Sequence, residues 1–275
     1  MSDVSSWVPP GANLNTPSVA RIYDYLLGGG HNFAVDRQTA VQIQQAMPGL
    51  AQAARVNRAF LRRAVLFMVE QGITQFLDIG SGIPTVGNVH EIAQQVNPAC
   101  RVVYVDKDPV AVAHSQLMLQ DNKQTGCVQA DMRDPHAIFA SAPVKHLLDL
   151  NKPVGLLMLL MLHWVPDEAK PLTLMDHYRR QLAPGSYLAI THIGDEHYDQ
   201  KLDKAAGIVS AKGADQINLR AYEEILPMFG DFTLVEPGLT RCVMWRADGP
   251  GAISDNADIN TLLYAGVAVK PADAR

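Results

Sequence analysis

The sequence is poor in cysteine and has no excess of basic charge. Three cysteines stand among 275 residues, and no two of them have the spacing of a metal site or of a disulfide framework. The net charge is −5, so the composition gives no general support for a nucleic-acid partner. So few thiols, odd in number, are typical of a protein of the reducing cytoplasm.

A secretory signal and a membrane-spanning run are also missing from the sequence. The N-terminus, Met1–Pro10, has an acidic residue and prolines in place of a basic and then apolar pattern. The longest apolar run is Pro153–Val165, which is too short for a transmembrane helix. It predicts a buried parallel strand that leads into a loop. We therefore expect no membrane association and a cytoplasmic location.

The order of predicted elements indicates an α/β fold with a doubly wound, mostly parallel sheet. Residues 1–71 predict an irregular arm, a lid and helices, 72–247 the core with the sheet, and 248–275 a tail that docks on this core. Seven strands are predicted: Gln75–Ile79, Val102–Asp106, Gly126–Ala130, Gly155–Leu162, Tyr187–Ile193, Phe232–Val235 and Val243–Arg246. The last two lie close together in the chain, so we expect a hairpin with one antiparallel strand at the sheet edge.

Helical patterns occupy the N-terminal segment and the intervals between the predicted strands. They are Val19–Leu27, a helix from about Asp36 to Met47, Leu50–Gln71, Val86–Val96, Pro109–Gln120, Asp167–Gln181 and Arg220–Met228.

The run Gln75–Thr85 (QFLDIGSGIPT) joins an acidic residue and a glycine turn between a predicted strand and a helix. In an open α/β sheet such a turn lies at the carboxyl end of the first strand, where ligands bind. Gly80 and Gly82 permit a sharp turn and the close approach of a ligand. Tight turns also use glycine for structural reasons alone, so this motif by itself leaves the ligand undecided.

Two further acidic residues follow the next two predicted strands. Asp106 ends the strand of VVYVDKDP, where a carboxylate can accept hydrogen bonds from both hydroxyls of a ribose; capping the next helix is the alternative role. Asp131 and Met132 follow the third strand, where they could contact an adenine amino group and a ring nitrogen. Alone, Asp131 would read as a solvated turn residue, but the series of three predicts an adenosyl site.

S-adenosylmethionine (SAM) matches this acidic series better than a dinucleotide does. The fingerprint GxGxxG is broken, because Thr85 stands at the third glycine position. Asp78 would repel a pyrophosphate, whereas it suits the ammonium group of a methionine moiety. The motifs GxxxxGK[ST], HExxH and CxxC are absent, so neither a P-loop nucleotide site nor a metal site is indicated.

Several motifs resemble a family of SAM-dependent methyltransferases that is abundant in actinobacteria and was long catalogued as a domain of unknown function. They are DIGSGIPT, VYVDKDP, ADMRDP, the N-terminal signature Ala20–Arg37, Val56–Ala64, Leu162–Asp167 and Tyr264–Val267. The similarity covers about residues 17–270. It implies the class I fold with an antiparallel last strand, and SAM as the cofactor. It does not supply the methyl acceptor.

The expected cofactor-binding residues come partly from this resemblance and partly from local patterns. The resemblance assigns Gly80–Gly82 to the methionine and ribose, Asp106 to the ribose, Asp131 with Met132 to the adenine, and His163 to the cofactor or acceptor. The complete predicted set is Tyr23, His31, Asn32, Arg58, Asp78, Gly80, Ser81, Gly82, Asp106, Lys107, Asp131, Met132 and His163.

The glycine-rich run Tyr23–Phe33 is interpreted as a lid over the cofactor, with an ordinary helix end and loop as the alternative. Asn57 or Arg58 could bind the SAM carboxylate, although such arginines commonly lie on a solvated helix face.

His163 and His31 are the candidate catalytic residues, with His192 as a third candidate base. His163 could equally be a core histidine, and Trp164 could stack at the site or simply pack. The acceptor is expected between the lid and residues 191–219. This stretch contains the cluster His192, Asp195, Glu196 and His197, which is expected to face solvent in a loop and not to bind a metal.

The sequence therefore predicts a methyltransferase that aligns a small-molecule acceptor with the sulfonium methyl group. A non-catalytic SAM-binding module and, with less support, an NAD-dependent oxidoreductase are the alternatives. A homodimer is left open.

Overall fold

The structure is a computed structural model that describes residues 8–9, 12–84, 87–195, 200–211, 216–247 and 253–272; Thr85, Glu196 and His197 lie outside these ranges. The helices are α1 Val19–Leu26, α2 Ala34–Ala46, α3 Leu50–Glu70, α4 Val89–Val96, α5 Pro109–Leu119, α6 Pro135–Ala140, α7 Ala142–Leu147, α8 Pro171–Arg180, α9 Gln200–Ala211, α10 Tyr222–Ile225 and α11 Ala257–Leu262. The strands are β1 Gln75–Ile79, β2 Arg101–Asp106, β3 Thr125–Gln129, β4 Gly155–Leu159, β5 Tyr187–Ile193, β6 Thr233–Leu234, β7 Thr240–Arg241 and β8 Leu263–Val269.

A single mixed sheet organises the molecule, in the order β3-β2-β1-β4-β5-β8-β6, with β7 also paired to β8. The first five strands are parallel, and β8 runs antiparallel to β5 through seven register pairs from Tyr187↔Val269 to Ile193↔Leu263. The predicted class, a mostly parallel doubly wound sheet with an antiparallel last strand, is confirmed. The described ranges contain eight strands where the sequence predicts seven.

The predicted hairpin between the last two strands is wrong. Val243–Arg246 forms a turn, and β6 pairs with β8 instead. Arg63, from α3, donates hydrogen bonds to the carbonyls of Trp245 and Cys242, each at 2.8 Å, so these groups are satisfied without a strand partner. The apolar tail segment that we expected to dock on the core is itself the sheet strand β8.

Successive side chains of the buried strands pack alternately in two hydrophobic layers. In β1, Phe76 packs in the layer that includes α3 residues, and Leu77 and Ile79 pack in the layer that includes α8 residues. This alternation follows from the two-residue period of a strand. A third apolar cluster joins α1 and α2 to α9. Within the described ranges, no helix combines the length and the apolar character needed to cross a bilayer.

Candidate active site

A cavity of about 480 Å³ lies at the carboxyl ends of β1 to β4. The strand order places β1 beside both β2 and β4, so the chain leaves β1 and β4 in opposite directions along the sheet. This is the switch point at which open α/β sheets bind ligands. The volume falls within the range of small-molecule sites.

The turn after β1 forms one wall of the cavity. The amides of Gly80 and Ser81 donate to the Val105 carbonyl at 2.7 and 3.0 Å, and the Gly82 amide donates to Asp106 Oδ2 at 2.8 Å. Gly80 and Gly82 have φ of 71° and 66°, a conformation that favours glycine. A Cβ at Gly82 would meet no atom within 4 Å, so this residue faces open space.

Asp106 ends β2 with its carboxylate directed to the same turn. Besides the Gly82 amide, it accepts a hydrogen bond from the Asp108 amide at 2.9 Å. Burial raises the pKa of Asp106 to about 6, although the two amide hydrogen bonds oppose this shift. An acceptor that is this poorly solvated would gain from the hydroxyl donors of a ligand.

Asp78 lies beside it at the end of β1 and is 6% exposed. Burial raises the pKa of Asp78 to about 7; the positive charge of Arg58 opposes the shift and the negative charge of Asp106 adds to it. Arg58 also lines the cavity, and its Nη2 donates to the Gly87 carbonyl at 2.6 Å. The structure therefore brings Arg58 to the cavity instead of to a solvated helix face.

Asp131 and Met132 reach the cavity from the end of β3, and Lys107 from the end of β2. Arg133 donates two side-chain hydrogen bonds to Asp131, at 2.5 and 3.0 Å, and a third from its amide at 2.8 Å, and these bonds lower the pKa of the carboxyl. The Met132 carbonyl accepts a hydrogen bond from the buried Tyr178 hydroxyl at 2.7 Å. The loop after β3 is thus fixed in place.

A chain of hydrogen bonds supports the opposite wall, after β4. Leu160 has φ of 54°, a strained value for a residue with a side chain, and its amide donates to Thr191 Oγ1 at 2.8 Å. Thr191 donates to Asn57 Oδ1 at 2.7 Å, and Asn57 Nδ2 donates to the Tyr23 hydroxyl at 3.1 Å. Tyr23 donates in turn to the Ala54 carbonyl at 3.1 Å. Tyr23 and Asn57 line the cavity, and the supporting role of Thr191 was not predicted.

The cavity is covered by the chain that leads into α1. Arg21 is 3% exposed and donates from Nε to Asp36 Oδ2 at 2.8 Å and from Nη1 to Asp108 Oδ2 at 3.4 Å. Its Nη2 donates to the Thr16 carbonyl at 2.6 Å. The Ser18 hydroxyl also donates to Asp108, and its amide donates to Asp36 at 3.0 Å. This N-terminal clamp, of Ser18, Arg21, Asp36 and Asp108, was not predicted, although Arg21 and Asp36 belong to the N-terminal signature.

Of the predicted lid, Tyr23–Phe33, only Tyr23 lines the cavity. His31 and Asn32 do not line the cavity, and neither does the glycine run at residues 28–30. Asn32 is buried and donates to Asp24 Oδ2 at 2.8 Å, while the His31 ring packs on His114 with 4.0 Å between the ring centroids. A Cβ at Gly29 would collide with the Asp24 carboxylate, so this glycine allows close packing. All the other predicted cofactor-binding residues except His163 line the cavity. His31, Asn32 and His163 do not.

His163 lines a second, smaller cavity of about 130 Å³ that adjoins the first. It is 2% exposed, and burial lowers the pKa of this histidine well below its usual value. The charges of His192 and Arg220 lower the pKa further. Trp164 lines both cavities, so it lies at the site instead of only packing in the core.

His192 is fully buried in β5, so the expectation of a solvated loop is wrong for this residue. Its Nδ1 lies 2.8 Å from the Ile193 carbonyl and its Nε2 lies 3.2 Å from Arg220 Nη1. Because arginine only donates, Nε2 accepts and Nδ1 holds the proton. Both ring nitrogens are engaged, and within the described ranges no three His, Cys, Asp or Glu side chains are grouped as metal ligands.

The sheet order and the carboxylates at the ends of three neighbouring strands define an adenosyl-binding α/β protein. A model of the S-adenosyl methyltransferase family matches residues 6–271. The chain belongs to this family: it is a methyltransferase and its cofactor is SAM. No curated protein matches the chain.

Solved structures agree with this membership. A candidate methyltransferase from Thermobifida fusca YX is 40% identical, with 98% of this chain and 100% of that chain covered and a TM-score of 0.90. A DUF574 family protein from Streptomyces avermitilis MA-4680 is 37% identical, with 93% and 98% covered and a TM-score of 0.88. Human N-acetylserotonin methyltransferase, solved with SAM, is 12% identical over 91% of this chain and 62% of that chain; its TM-score of 0.50 reflects the shared fold alone.

Proposed function

We propose that this methyltransferase acts on a small-molecule acceptor and binds SAM in the cavity at the ends of β1 to β4. The observation that supports the site most directly is that Asp78, Asp106 and Asp131, from three neighbouring strands, line one cavity of about 480 Å³. The adjoining cavity is only about 130 Å³ and is lined by side chains of α1 and α9, which favours a small acceptor over a macromolecule.

The residues of the cavity fit the chemical groups of SAM. Asp106 offers a buried carboxylate to the ribose hydroxyls, and Asp78 offers one to the ammonium group. Asp131 and Met132 are assigned to the adenine. Gly82 leaves open space beside its Cα, which a side chain would occupy.

When bound, SAM supplies a methyl group on a sulfonium that is already activated as a leaving group. The protein's part is then to align the acceptor and to exclude water. Tyr23, Leu160 and Trp164 line both cavities and are assigned this role. Low basicity makes His163 a hydrogen-bonding residue instead of a base at neutral pH. His31 lines neither cavity, so no catalytic role is proposed for it.

Calorimetric titration of the purified protein tests the cofactor site. We expect one equivalent of S-adenosylhomocysteine to bind and NAD to produce no binding heat, because the turn lacks a pyrophosphate site. The same titration on the Asp106→Asn variant controls for binding elsewhere. Tight NAD binding without S-adenosylhomocysteine binding would overturn the proposal.

A further inference from the structure

The second cavity adjoins the cofactor cavity and is almost entirely apolar. The two cavities share four lining residues, Val19, Tyr23, Leu160 and Trp164. The remaining walls come mainly from aliphatic side chains of α1, α2, α3 and α9. A molecule in the second cavity would therefore lie next to the cofactor cavity, on the side that Trp164 and Leu160 form.

The size of the cavity limits its occupant. Its volume is about 130 Å³. An apolar cavity of roughly 150 Å³ holds a benzene ring and stays dry when empty. The second cavity therefore has room for one six-membered ring or an aliphatic group of equal size, and its lining rejects charge.

Three side chains with polar atoms line this apolar space: Tyr23, His163 and Trp164. Tyr23 and His163 differ in their hydrogen bonds. The Tyr23 hydroxyl already accepts from Asn57 and donates to the Ala54 carbonyl. His163 is 2% exposed, and its Nδ1 is buried without a hydrogen-bond partner among the described residues. Buried polar atoms without partners are rare and call for an explanation. Because His163 lines the cavity, a ligand group that reaches its imidazole ring would supply a hydrogen bond there.

We propose that the second cavity binds the body of the methyl acceptor: an uncharged, ring-sized apolar molecule with one hydroxyl or amine that hydrogen-bonds to His163. This inference rests on the proposed function, since it takes the first cavity as the cofactor site. It identifies a substrate class, of which simple phenols are the nearest model compounds.

Fluorine NMR with two probes tests the proposal. 4-Fluorophenol and fluorobenzene are titrated separately into the wild-type protein saturated with S-adenosylhomocysteine. We expect both to bind, and 4-fluorophenol to bind at least about fivefold more tightly because of its hydroxyl hydrogen bond. If neither probe binds, or if fluorobenzene binds as well as the phenol, the proposal is wrong.

Variants locate the binding and identify the hydrogen bond. Ala205→Leu fills the cavity from α9 and should lower the affinity for both probes by about tenfold or more. Lys204→Leu, on the exposed side of the same helix, is the matched control and should bind like wild type. His163→Phe should bind the two probes about equally, because the ring shape is kept and the polar atoms are removed. Unchanged probe binding in Ala205→Leu would overturn the proposal.

A second filling variant and a separate titration guard against misfolding and against confusion with the cofactor site. Ala54→Leu narrows the cavity from a different helix, α3, and should reproduce the effect of Ala205→Leu. Each variant is also titrated with S-adenosylhomocysteine, whose affinity should stay within about twofold of wild type when the fold is intact. Loss of probe binding with S-adenosylhomocysteine binding intact supports the acceptor site. Failure of wild type to bind S-adenosylhomocysteine would instead refute the proposed function.

Discussion

Buried carboxylates are the feature of this site that single residues explain best. Asp78 and Asp106 are 6% and 9% exposed, and burial raises the pKa of both. Burying a charge is unfavourable unless a partner compensates it. Such positions are functional candidates, because a cationic or hydroxyl-bearing ligand can supply the compensation.

The Asp106→Asn variant should lose affinity for S-adenosylhomocysteine. Hydrogen bonds to a charged group contribute about 1.5–3 kcal/mol, so we expect a dissociation constant raised by roughly 10- to 100-fold in calorimetry. The circular dichroism spectrum should stay native, since the amide oxygen can still accept one backbone hydrogen bond. An affinity within about twofold of wild type would remove Asp106 from the ribose site.

The affinity of the wild-type protein for S-adenosylhomocysteine should rise with pH around neutrality. In the free protein the pKa of Asp78 is about 7, so its carboxylate is mostly protonated at pH 6 and mostly ionised at pH 8. The ammonium group of S-adenosylhomocysteine favours the ionised form, and affinity should increase by about tenfold over this range. The Asp78→Asn variant should bind S-adenosylhomocysteine more weakly, and its affinity should depend less on pH. Identical profiles for the two proteins would contradict this role.

The stability of the free protein should fall as pH rises, because of the same residue, Asp78. The pKa of Asp78 is raised from 3.8 to about 7, so its contribution to stability is present at acid pH and is lost as pH rises to 7. Asp78→Asn should therefore raise the Tm of the free protein more at pH 8 than at pH 5, because pH 5 lies only part of the way between the two pKa values, as thermal unfolding would show. An equal effect at both pH values would count against a buried, titrating Asp78.

At the scale of elements, the N-terminal clamp joins α1 and α2 to the end of β2. Asp36 is fully buried, caps α2 through the Phe33 amide at 2.8 Å and accepts from Arg21. Asp108 caps α5 through the Val110 amide at 2.7 Å and meets the same arginine. One guanidinium therefore ties two helix N-termini together over the cofactor cavity.

Arg21→Met should destabilise the protein strongly. Removing one member of a buried ion pair leaves Asp36 charged and without its main partner, which costs about 3–5 kcal/mol. Urea unfolding measures the change. Arg180→Met is the matched control: Arg180 is 75% exposed, pairs with Asp176 at 2.8 Å, and should contribute about 0–1 kcal/mol. Similar losses for the two variants would show that the clamp is not the stabilising element.

At the scale of the whole molecule, the C-terminal strand completes the sheet. β8 pairs with β5 on one side and with β6 and β7 on the other. Its residues Ala265, Val267 and Ala268 are fully buried. The segment joins the first five strands to the last two short ones and is part of the core.

A chain that ends at residue 252 should fail to fold, because β5 would expose an apolar edge and β6 and β7 would lose the strand with which they pair. A chain that ends at Ala272 retains β8 and should keep its Tm within about 1 °C of wild type. Differential scanning calorimetry compares the two. A cooperative transition in the shorter chain would show that β8 is dispensable.

The grouping of the three acidic residues in one cavity was predictable because it depends on local motifs. Each of β1, β2 and β3 ends in its own short motif, and parallel strands place these carboxyl ends on one edge of the sheet. Strand periodicity and the position of an acidic residue thus sufficed to bring Asp78, Asp106 and Asp131 together. The long helix α3 was equally clear from its apolar period.

Only the tertiary structure decided the rest, since it depends on contacts between distant segments. Ser18 meets Asp108 across 90 residues, and β8 enters the sheet through pairing that no local pattern distinguishes from a docked tail. The glycine run looked like a lid, but Gly29 serves close packing against Asp24. Local chemistry therefore determined the cofactor, whereas long-range packing decided what covers the cofactor cavity and where His163 lies.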